Sequence, residues 1–283
     1  IYYNIASILK YVPFCRHIYI VTDNQQPEFL NEFVAQGLCD TDKIRVVDHR
    51  EIFAGYEQFL PTFNTRSIES MLWNIQGLSD YFIYLNDDFF FNAEAKIEDF
   101  LENDSIVTYG HWKSCLSYKT KLKYRKFLNR HFNKPIQPGH VIGQMLGADI
   151  LGFKDFFEIH HYPHCVDRKI LSEYLLSHPD LLETQIKYKF RSVEQLNPIS
   201  LMNHLKIQKK EAVLKPDLTL AYLKNAESLN DFVSALDQDN IKYGCIQSLD
   251  QLTQSDAEQV KNAMLKKLEG YLPQSVMSTQ EIA

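Results

Sequence analysis

The chain has 283 residues, 45% of them apolar and 23% charged, with a formal net charge of −6. That length supports a proper hydrophobic core in one large domain or two modest ones, and the acidic balance excludes generic nucleic-acid binding. Five widely spaced cysteines (Cys15, Cys39, Cys115, Cys165 and Cys245), without a C-x-x-C pair, argue against a disulfide scaffold or a cysteine zinc site and point to a reducing compartment.

In chain order, Tyr3, Ile5, Ile8 and Leu9 give residues 2–10 a helical face that stops before Pro13. His17 to Thr22 is a β-branched and aromatic run, predicted as a buried strand that ends at the turn signal Asp23-Asn24. Pro27 opens a helix predicted to reach Ala35, and Lys43 to Val47 reads as a second strand. Asn64 is placed to cap a helix over 64–75, with Ile68, Met71, Leu72 and Ile75 on one face and Gly77 as its stop. Tyr81 to Leu85 is a third strand, delivering Asn86-Asp87-Asp88 at its end, and residues 105–109 a fourth. This alternation predicts an α/β fold with a mainly parallel sheet, whose ligands sit beyond the carboxyl ends of the strands.

The character changes after residue 112. No acidic residue occurs between Ser105 and Ala148, while eight Lys or Arg fall between Lys113 and Lys134, interleaved with Trp112, Tyr118, Tyr124, Phe127 and Phe132. Helices are predicted over about 166–178, 199–211 and 255–270, the last with a Ser255/Glu258 capping box. Lys242 to Ile246 reads as a short strand, and the last ten residues as a fraying tail. No apolar run approaches the roughly 20 residues of a membrane span. The chain starts at Ile1, not Met, and reads at once as structured sequence with no visible signal peptide, so a fragment that lacks its true N-terminus is an expectation here.

Three constellations carry chemistry. Adjacent carboxylates at Asp87 and Asp88 are costly to hold together after a buried strand unless a cation compensates them, and Mg²⁺ or Mn²⁺ prefers such oxygen ligands. The bland alternative is a solvated turn, where Asn and Asp are favoured anyway. His160-His161-Tyr162-Pro163-His164 lacks the helical i, i+4 spacing of zinc hydrolases, so a catalytic base is the better functional reading and helix capping or packing the bland one. Lys187, Lys189 and Arg191 precede Glu194 and offer phosphate contacts, or else a solvated basic face. The stretch 112–134 is a solvated amphipathic helix, or a surface for a polyanionic acceptor or an anionic membrane.

Together these residues resemble the Stealth family, which includes bacterial capsular polysaccharide phosphotransferases and the lysosomal-enzyme N-acetylglucosamine-1-phosphotransferase of animals. Ser7-Ile8 to Pro13, Ile18 to Thr22, Leu60-Pro61-Thr62-Phe63-Asn64, Ile68-Glu69-Ser70 and Phe82 to Asp88 follow the order of its second conserved region. His161-x-Pro163-His164-x-x-Asp167-Arg168 and Arg191-Ser192-x-Glu194 match its third. The resemblance implies a metal and diphosphate at Asp87 and Asp88, a base at His161 and a phosphate contact at Arg191. It also implies substrate contacts at Asn64, Glu69, Asn86, His164, Arg168 and Glu194. The family's first region has no counterpart here, which implies incomplete donor binding. The fourth is matched loosely by Lys242 to Ile246, followed by Gln247-Ser248 where relatives often carry Asn-Asp.

The expectation is a Rossmann-like or GT-A-like α/β part over 1–111 for nucleotide-sugar and metal, a basic aromatic insertion over 112–150, and a mainly helical part over 151–283 that completes the site. The expected reaction moves a sugar-1-phosphate from a nucleotide-sugar to a saccharide hydroxyl, with Mg²⁺ or Mn²⁺, in the cytoplasm, either free or peripheral at the inner face of the bacterial membrane. The rivals are a metal-dependent GT-A glycosyltransferase attacking the anomeric carbon, and a non-catalytic carbohydrate-binding module.

Overall fold

A computed structural model describes residues 1–247 and 249–278. Helix α1 (Tyr2–Tyr11) buries Ile5 and Ile8 and ends at Val12, as Pro13 requires. Strand β1 (Ile18–Thr22), helix α2 (Glu32–Ala35) and strand β2 (Ile44–Asp48) follow, and β1 pairs β2 in parallel. The helix expected over 27–35 is thus reduced to four residues, because residues 28–31 are spent in turns. Next come α3 (His49–Ile52), α4 (Thr65–Glu69), β3 (Tyr81–Tyr84), β4 (Phe89–Phe91), β5 (Leu101–Glu102), β6 (Ser105–Tyr109) and β7 (His111–Ser114). Asn64 caps α4, its side chain accepting from the Arg66 N–H at 3.2 Å, but α4 stops at Glu69 and does not run to Ile75. Ser70 there turns its hydroxyl back onto the Arg66 carbonyl at 2.7 Å, a contact that competes with continued helix.

Helices α5 (Cys115–Phe132) and α6 (His140–Ile150) lead to β8 (Asp155–Glu158) and β9 (His164–Asp167). Then follow α7 (Arg168–Ser177), α8 (Pro179–Ile186), α9 (Pro198–Lys209), β10 (Ala212–Lys215), β11 (Leu220–Leu223), α10 (Leu229–Leu236), β12 (Tyr243–Ile246), α11 (Gln254–Lys267) and α12 (Gln274–Ser278). Asp167 closes β9 and caps α7, accepting from the Ile170 N–H at 3.0 Å, so that helix begins two residues after its expected start. The cap of α11 is Thr253, which accepts from the Asp256 N–H at 3.2 Å, rather than Ser255. The tail residues 274–278 form α12; Ser248 and residues 279–283 lie outside the described residues.

The fold is mixed α/β, but the strands do not form a mainly parallel, Rossmann-like sheet. Among the described residues, β1–β2, β6–β10 and β11–β12 pair in parallel, whereas β4–β12, β3–β9, β5–β6 and β7–β8 are antiparallel. The sheets have two or three strands each. The cause is that strands from the second half return to pair with those of the first, which local alternation cannot show. One apolar core runs from Ile5 to Leu272. A smaller one, built from Cys115, Leu122, Ile142, Met145, Ala148 and Phe156, lies under α5 and α6. No helix among the described residues is long and apolar enough to cross a membrane.

Candidate active site

Antiparallel pairing of β3 with β9 puts the ends of two chemical motifs side by side. Tyr84 lies opposite His164, so the turn after β3 and the loop before β9 emerge at the same edge. That turn is Asn86-Asp87-Asp88, closed by the Phe89 N–H donating to the Asn86 carbonyl at 3.2 Å. Asn4 of α1 pins it, donating to the carbonyls of Asn86 and Phe89 at 3.1 and 2.8 Å. Asp87 is exposed and Asp88 half-buried. Strand β12 holds Asp88 from the other side, with the Ile246 N–H donating to its carbonyl at 2.9 Å. Its Oδ2 receives the Cys245 thiol at 3.5 Å and Gln247 Nε2 at 3.4 Å, while its buried Oδ1 has no hydrogen-bond partner. Gln247, where the family pattern departs, therefore contacts the acidic turn itself; Ser248 lies outside the described residues.

A small cleft, with a cavity of about 20 Å³, lies beside this turn and is lined by Glu69, Tyr84, Asn86, His140, His161 and His164 among others. The Tyr84 hydroxyl stands 2.8 Å from Glu69 Oε1 and 2.7 Å from Asn86 Oδ1. A phenol has one proton. Both contacts are satisfied only if Glu69 is itself protonated or Asn86 turns its amide nitrogen to the phenol. Burial raises the Glu69 pKa, against the Tyr84 hydrogen bond and the charges of Arg66 and Arg191. Glu69 Oε2 is buried without a partner.

His161 stands at the cleft mouth with its ring centroid 4.1 Å from that of His140. Displaced water lowers the His161 pKa; Asp88 opposes that shift, and Arg191 and His160 reinforce it. Its imidazole is therefore neutral near pH 7 and able to accept a proton. His140 and His164 are pushed down to about 3 and about 4, chiefly by burial. Each sets its ring nitrogen Nε2 against a backbone carbonyl, Ile159 at 3.2 Å and His160 at 2.9 Å, which fixes the proton on Nε2.

Arg191 reaches this group from the loop after α8, its Nε donating to Thr65 Oγ1 at 3.0 Å. Its charge acts on Glu69, Tyr84 and His161 together. The start of α4 builds that loop. Asn64 is fully buried and donates to Gln195 Oε1 at 2.9 Å and the Tyr188 carbonyl at 3.1 Å. Arg66 donates to the Gln195 carbonyl at 2.9 Å and to the Gly139 carbonyl at 2.8 Å, tying the Arg191 loop to the start of α6, where His140 sits.

The structure thus brings Asp87, Asp88, Asn86, Glu69, His161, His164 and Arg191 into one neighbourhood. It sets the others elsewhere. Asn64 is buried as a support for the Arg191 loop. Glu194 is exposed and accepts from the Tyr188 hydroxyl. Arg168 lies at the opposite end of β3, paired with Asp80 at 3.2 Å. The sequence reading missed His140 and Tyr84 as cleft residues. His140 follows a Pro138-Gly139 turn with no motif around it, while Tyr84 is read naturally as strand filling.

A divalent cation fits the acidic turn on chemical grounds. An unpartnered buried carboxylate oxygen on Asp88 and an exposed carboxylate on Asp87 are hard oxygen donors, and Mg²⁺ commonly takes one or two carboxylates with waters and substrate phosphates.

The architecture is a mixed α/β protein in which paired carboxylates and a guanidinium lie close to a neutral imidazole at a small polar cleft. In comparison with known proteins, the family model described as Stealth protein CR2, conserved region 2, matches residues 1–109 of this chain. A capsular polysaccharide phosphotransferase of Actinobacillus pleuropneumoniae is 41% identical over 108 residues, 38% of this chain and 28% of the relative. An exopolysaccharide phosphotransferase of Streptomyces coelicolor is 27% identical over 221 residues, 78% of this chain and 35% of the relative. One from Lactiplantibacillus plantarum is 38% identical over 104 residues, 37% of this chain and 28% of the relative. The chain spans only about a third of the length of these relatives.

Proposed function

We propose that this chain is the catalytic region of a sugar-1-phosphate transferase in capsular or exopolysaccharide synthesis. The observation that carries the reading is the convergence of Glu69 and Asn86–Asp88, inside the Stealth region, with His161 and Arg191, far outside it. The similar proteins that share the region are named for polysaccharide phosphotransfer.

In this reading a nucleoside diphosphate-sugar and a saccharide acceptor meet at the cleft. His161 takes the proton of the acceptor hydroxyl. The oxygen bonds to the phosphorus that carries the sugar, and the bond from that phosphorus to the nucleoside monophosphate breaks. Arg191 steadies the charge on the phosphoryl oxygens. Asp87 and Asp88 would hold Mg²⁺ or Mn²⁺, which would neutralise the diphosphate and the departing phosphate. Glu69, Asn86 and His164 contact substrate in the cleft, and Tyr84 and His140 hold Glu69 and His161 in place. The product is a sugar–phosphate–sugar diester.

The exposed face of α5, with Leu116, Tyr124, Phe127 and Phe132 among lysines and arginines, is read as the contact for an anionic polymer or for the inner surface of a bacterial membrane. Sedimentation with anionic and with neutral lipid vesicles tests it; equal binding to both sinks the membrane reading.

The reaction is tested with the full-length protein, a panel of nucleotide-sugars, metal and an acceptor saccharide. The expected result is release of nucleoside monophosphate and a phosphodiester resonance by phosphorus NMR. Release of nucleoside diphosphate would mean attack at the anomeric carbon, as in a glycosyltransferase. Carbohydrate binding without turnover across the panel would make the chain a binding module.

A further inference from the structure

A second cluster of ligating side chains lies apart from the acidic turn. His111 opens β7, His160 precedes the cleft residue His161, and Asp217 sits in the loop between β10 and β11. Among the described residues, these are the three His, Cys, Asp or Glu side chains whose ligand atoms gather within 4.8 Å of one another. His111 Nδ1 is 2.6 Å from Asp217 Oδ2, and His160 Nε2 is 3.4 Å from Asp217 Oδ1. The two imidazole rings face one another across 6.0 Å.

We propose that His111, His160 and Asp217 form a zinc-class transition-metal site. Two imidazoles and one carboxylate are borderline donors that suit zinc better than Mg²⁺. In a tetrahedral site with bonds of about 2.0–2.1 Å, ligand atoms stand roughly 3.3–3.4 Å apart. Each imidazole stands near a different oxygen of Asp217, and one ligand atom from each residue lies within 4.8 Å of the others, so side-chain adjustment of about 1 Å would bring the three to tetrahedral spacing. A cation would replace the proton that His111 and Asp217 now share.

The surroundings carry the argument beyond a bare cluster. The other ring nitrogen of His111, Nε2, faces the buried carboxylate of Glu158 at 3.6 Å. At that distance it is an ion-pair contact rather than a hydrogen bond, and the same oxygen also meets Lys113; a metal on Nδ1 would leave the proton on Nε2, facing this carboxylate. The approach of His111 to Glu158 is set by the backbone. His111 and Glu158 are register partners in β7–β8, and Gly110 lets the strands close, because a Cβ there would stand 2.0 Å from the Glu158 carbonyl oxygen. Tyr162 supports Asp217, its hydroxyl lying 3.4 Å from Oδ1 and accepting from the Leu218 N–H at 3.1 Å. All three ligands keep partial solvent access, with side chains 36–50% exposed, so a cation can enter.

Such an ion would strap the 159–163 loop to β7 and to the 216–219 loop. The same loop carries His161, and its Ile159 carbonyl receives Gln144 and His140. The strap is therefore a positioning device one residue from the cleft, independent of the Mg²⁺ or Mn²⁺ reading at Asp87 and Asp88.

The test uses the purified full chain, stripped with chelator and titrated with Co²⁺ and then Zn²⁺ at pH 7.5. One Co²⁺ per chain should bind with the visible absorption of a tetrahedral nitrogen–oxygen site, and Zn²⁺ should displace it. His111→Gln and Asp217→Asn should each weaken binding at least about 100-fold, beyond what loss of a supporting partner usually costs. Asp88→Asn should bind like the wild type. Circular dichroism confirms folding, and if His111→Gln fails to fold, the loop variant Asp217→Asn decides. No stoichiometric Co²⁺ binding by the folded wild type overturns the proposal. So does unchanged affinity in folded Asp217→Asn, which would put the ion elsewhere; a simple His–Asp ion pair predicts one of these two results.

Discussion

His161 feels two opposed charges at once. Burial and Arg191 hold its imidazole neutral, while Asp88 pulls toward the protonated form. A base works only when deprotonated, so activity should persist above the His161 pKa and fall as pH drops through it. Because that pKa lies under the ordinary 6.5, the acid limb of kcat/KM should fall below pH 6.5. Removing the Asp88 charge by Asp88→Asn should move the limb of the residual activity to lower pH, and Arg191→Met should move it higher. The same Asp88→Asn change should cost about 100-fold or more in rate, the scale of a key electrostatic group, and Asp87→Asn should do likewise. Near-wild-type turnover in both asparagine variants would remove the acidic turn from the mechanism. At this scale the sequence was informative where residue type and neighbours decide chemistry: the paired acids and His161 stand out by eye. It was silent on His140 and Tyr84, whose positions depend on Arg66 bonding the Gly139 carbonyl and on Glu69 lying across from β3.

Elements were legible where a cap or a stop is written locally. Asn64 caps α4 as expected, and β1, β2 and β3 appear where β-branched and aromatic runs predict them. The three-residue β4 and the four-residue β7, β8 and β9 are too short to show a period, and they exist because partners hold them. Strand β12 shows how tight that hold is. Gly244 pairs with Phe90 in register, and a Cβ on it would stand 2.1 Å from the buried Phe90 ring. Phe90 is also wedged edge-on against Phe232, so it has nowhere to move. Gly244→Ala should therefore cost about 3 kcal/mol or more, read as a lower midpoint in chemical denaturation; an unchanged midpoint would mean β12 and β4 are not packed as described.

Lys206 of α9 is a second element-level constraint. Its side chain is 3% exposed and its ammonium meets Asp167 at 3.0 Å and Glu211 at 2.9 Å, joining α9 to the end of β9. Burial alone would lower the Lys206 pKa, but the hydrogen bonds it donates to Glu211 and Asp167 outweigh burial and raise the value. A raised lysine pKa stabilises the fold below its unfolded value of about 10.4, and that support is lost only as pH climbs through the folded value. Lys206→Ala should leave Asp167 unpaired and cost about 3 kcal/mol at pH 7. The loss should begin to shrink above about pH 10.4, where the unfolded chain releases this proton while the folded chain still holds it. Thermal melts at pH 7 and pH 11 check both the size and the sign.

At the scale of the molecule, the recognised segment and the folding unit have different bounds. The Stealth region spans residues 1–109 and contains β1 to β6, yet three of those strands find partners beyond it. Strand β3 pairs β9, β4 pairs β12, and β6 pairs β10. The acidic turn depends on the same long-range pairing, since Ile246 and Gln247 bond Asp88. This is why the convergence of the site could not be read from spacing: it is a property of pairings between residues 80 to 156 positions apart. A fragment ending at residue 109 would leave the edges of β3 and β4 unpaired and the core face of α1 and β4 without β12 above it. Unpaired, partly apolar strands do not stay ordered alone. The fragment should therefore show no cooperative thermal transition, and its β3 and β4 amides should exchange with solvent at nearly unfolded rates. The same amides in the full chain should be protected by roughly 100-fold or more, since exchange there needs opening of the shared core. Hydrogen exchange read by mass spectrometry compares the two directly. A cooperative melt of the fragment with protected Phe89–Phe91 amides would show that the region folds by itself and that the later strands merely dock onto it.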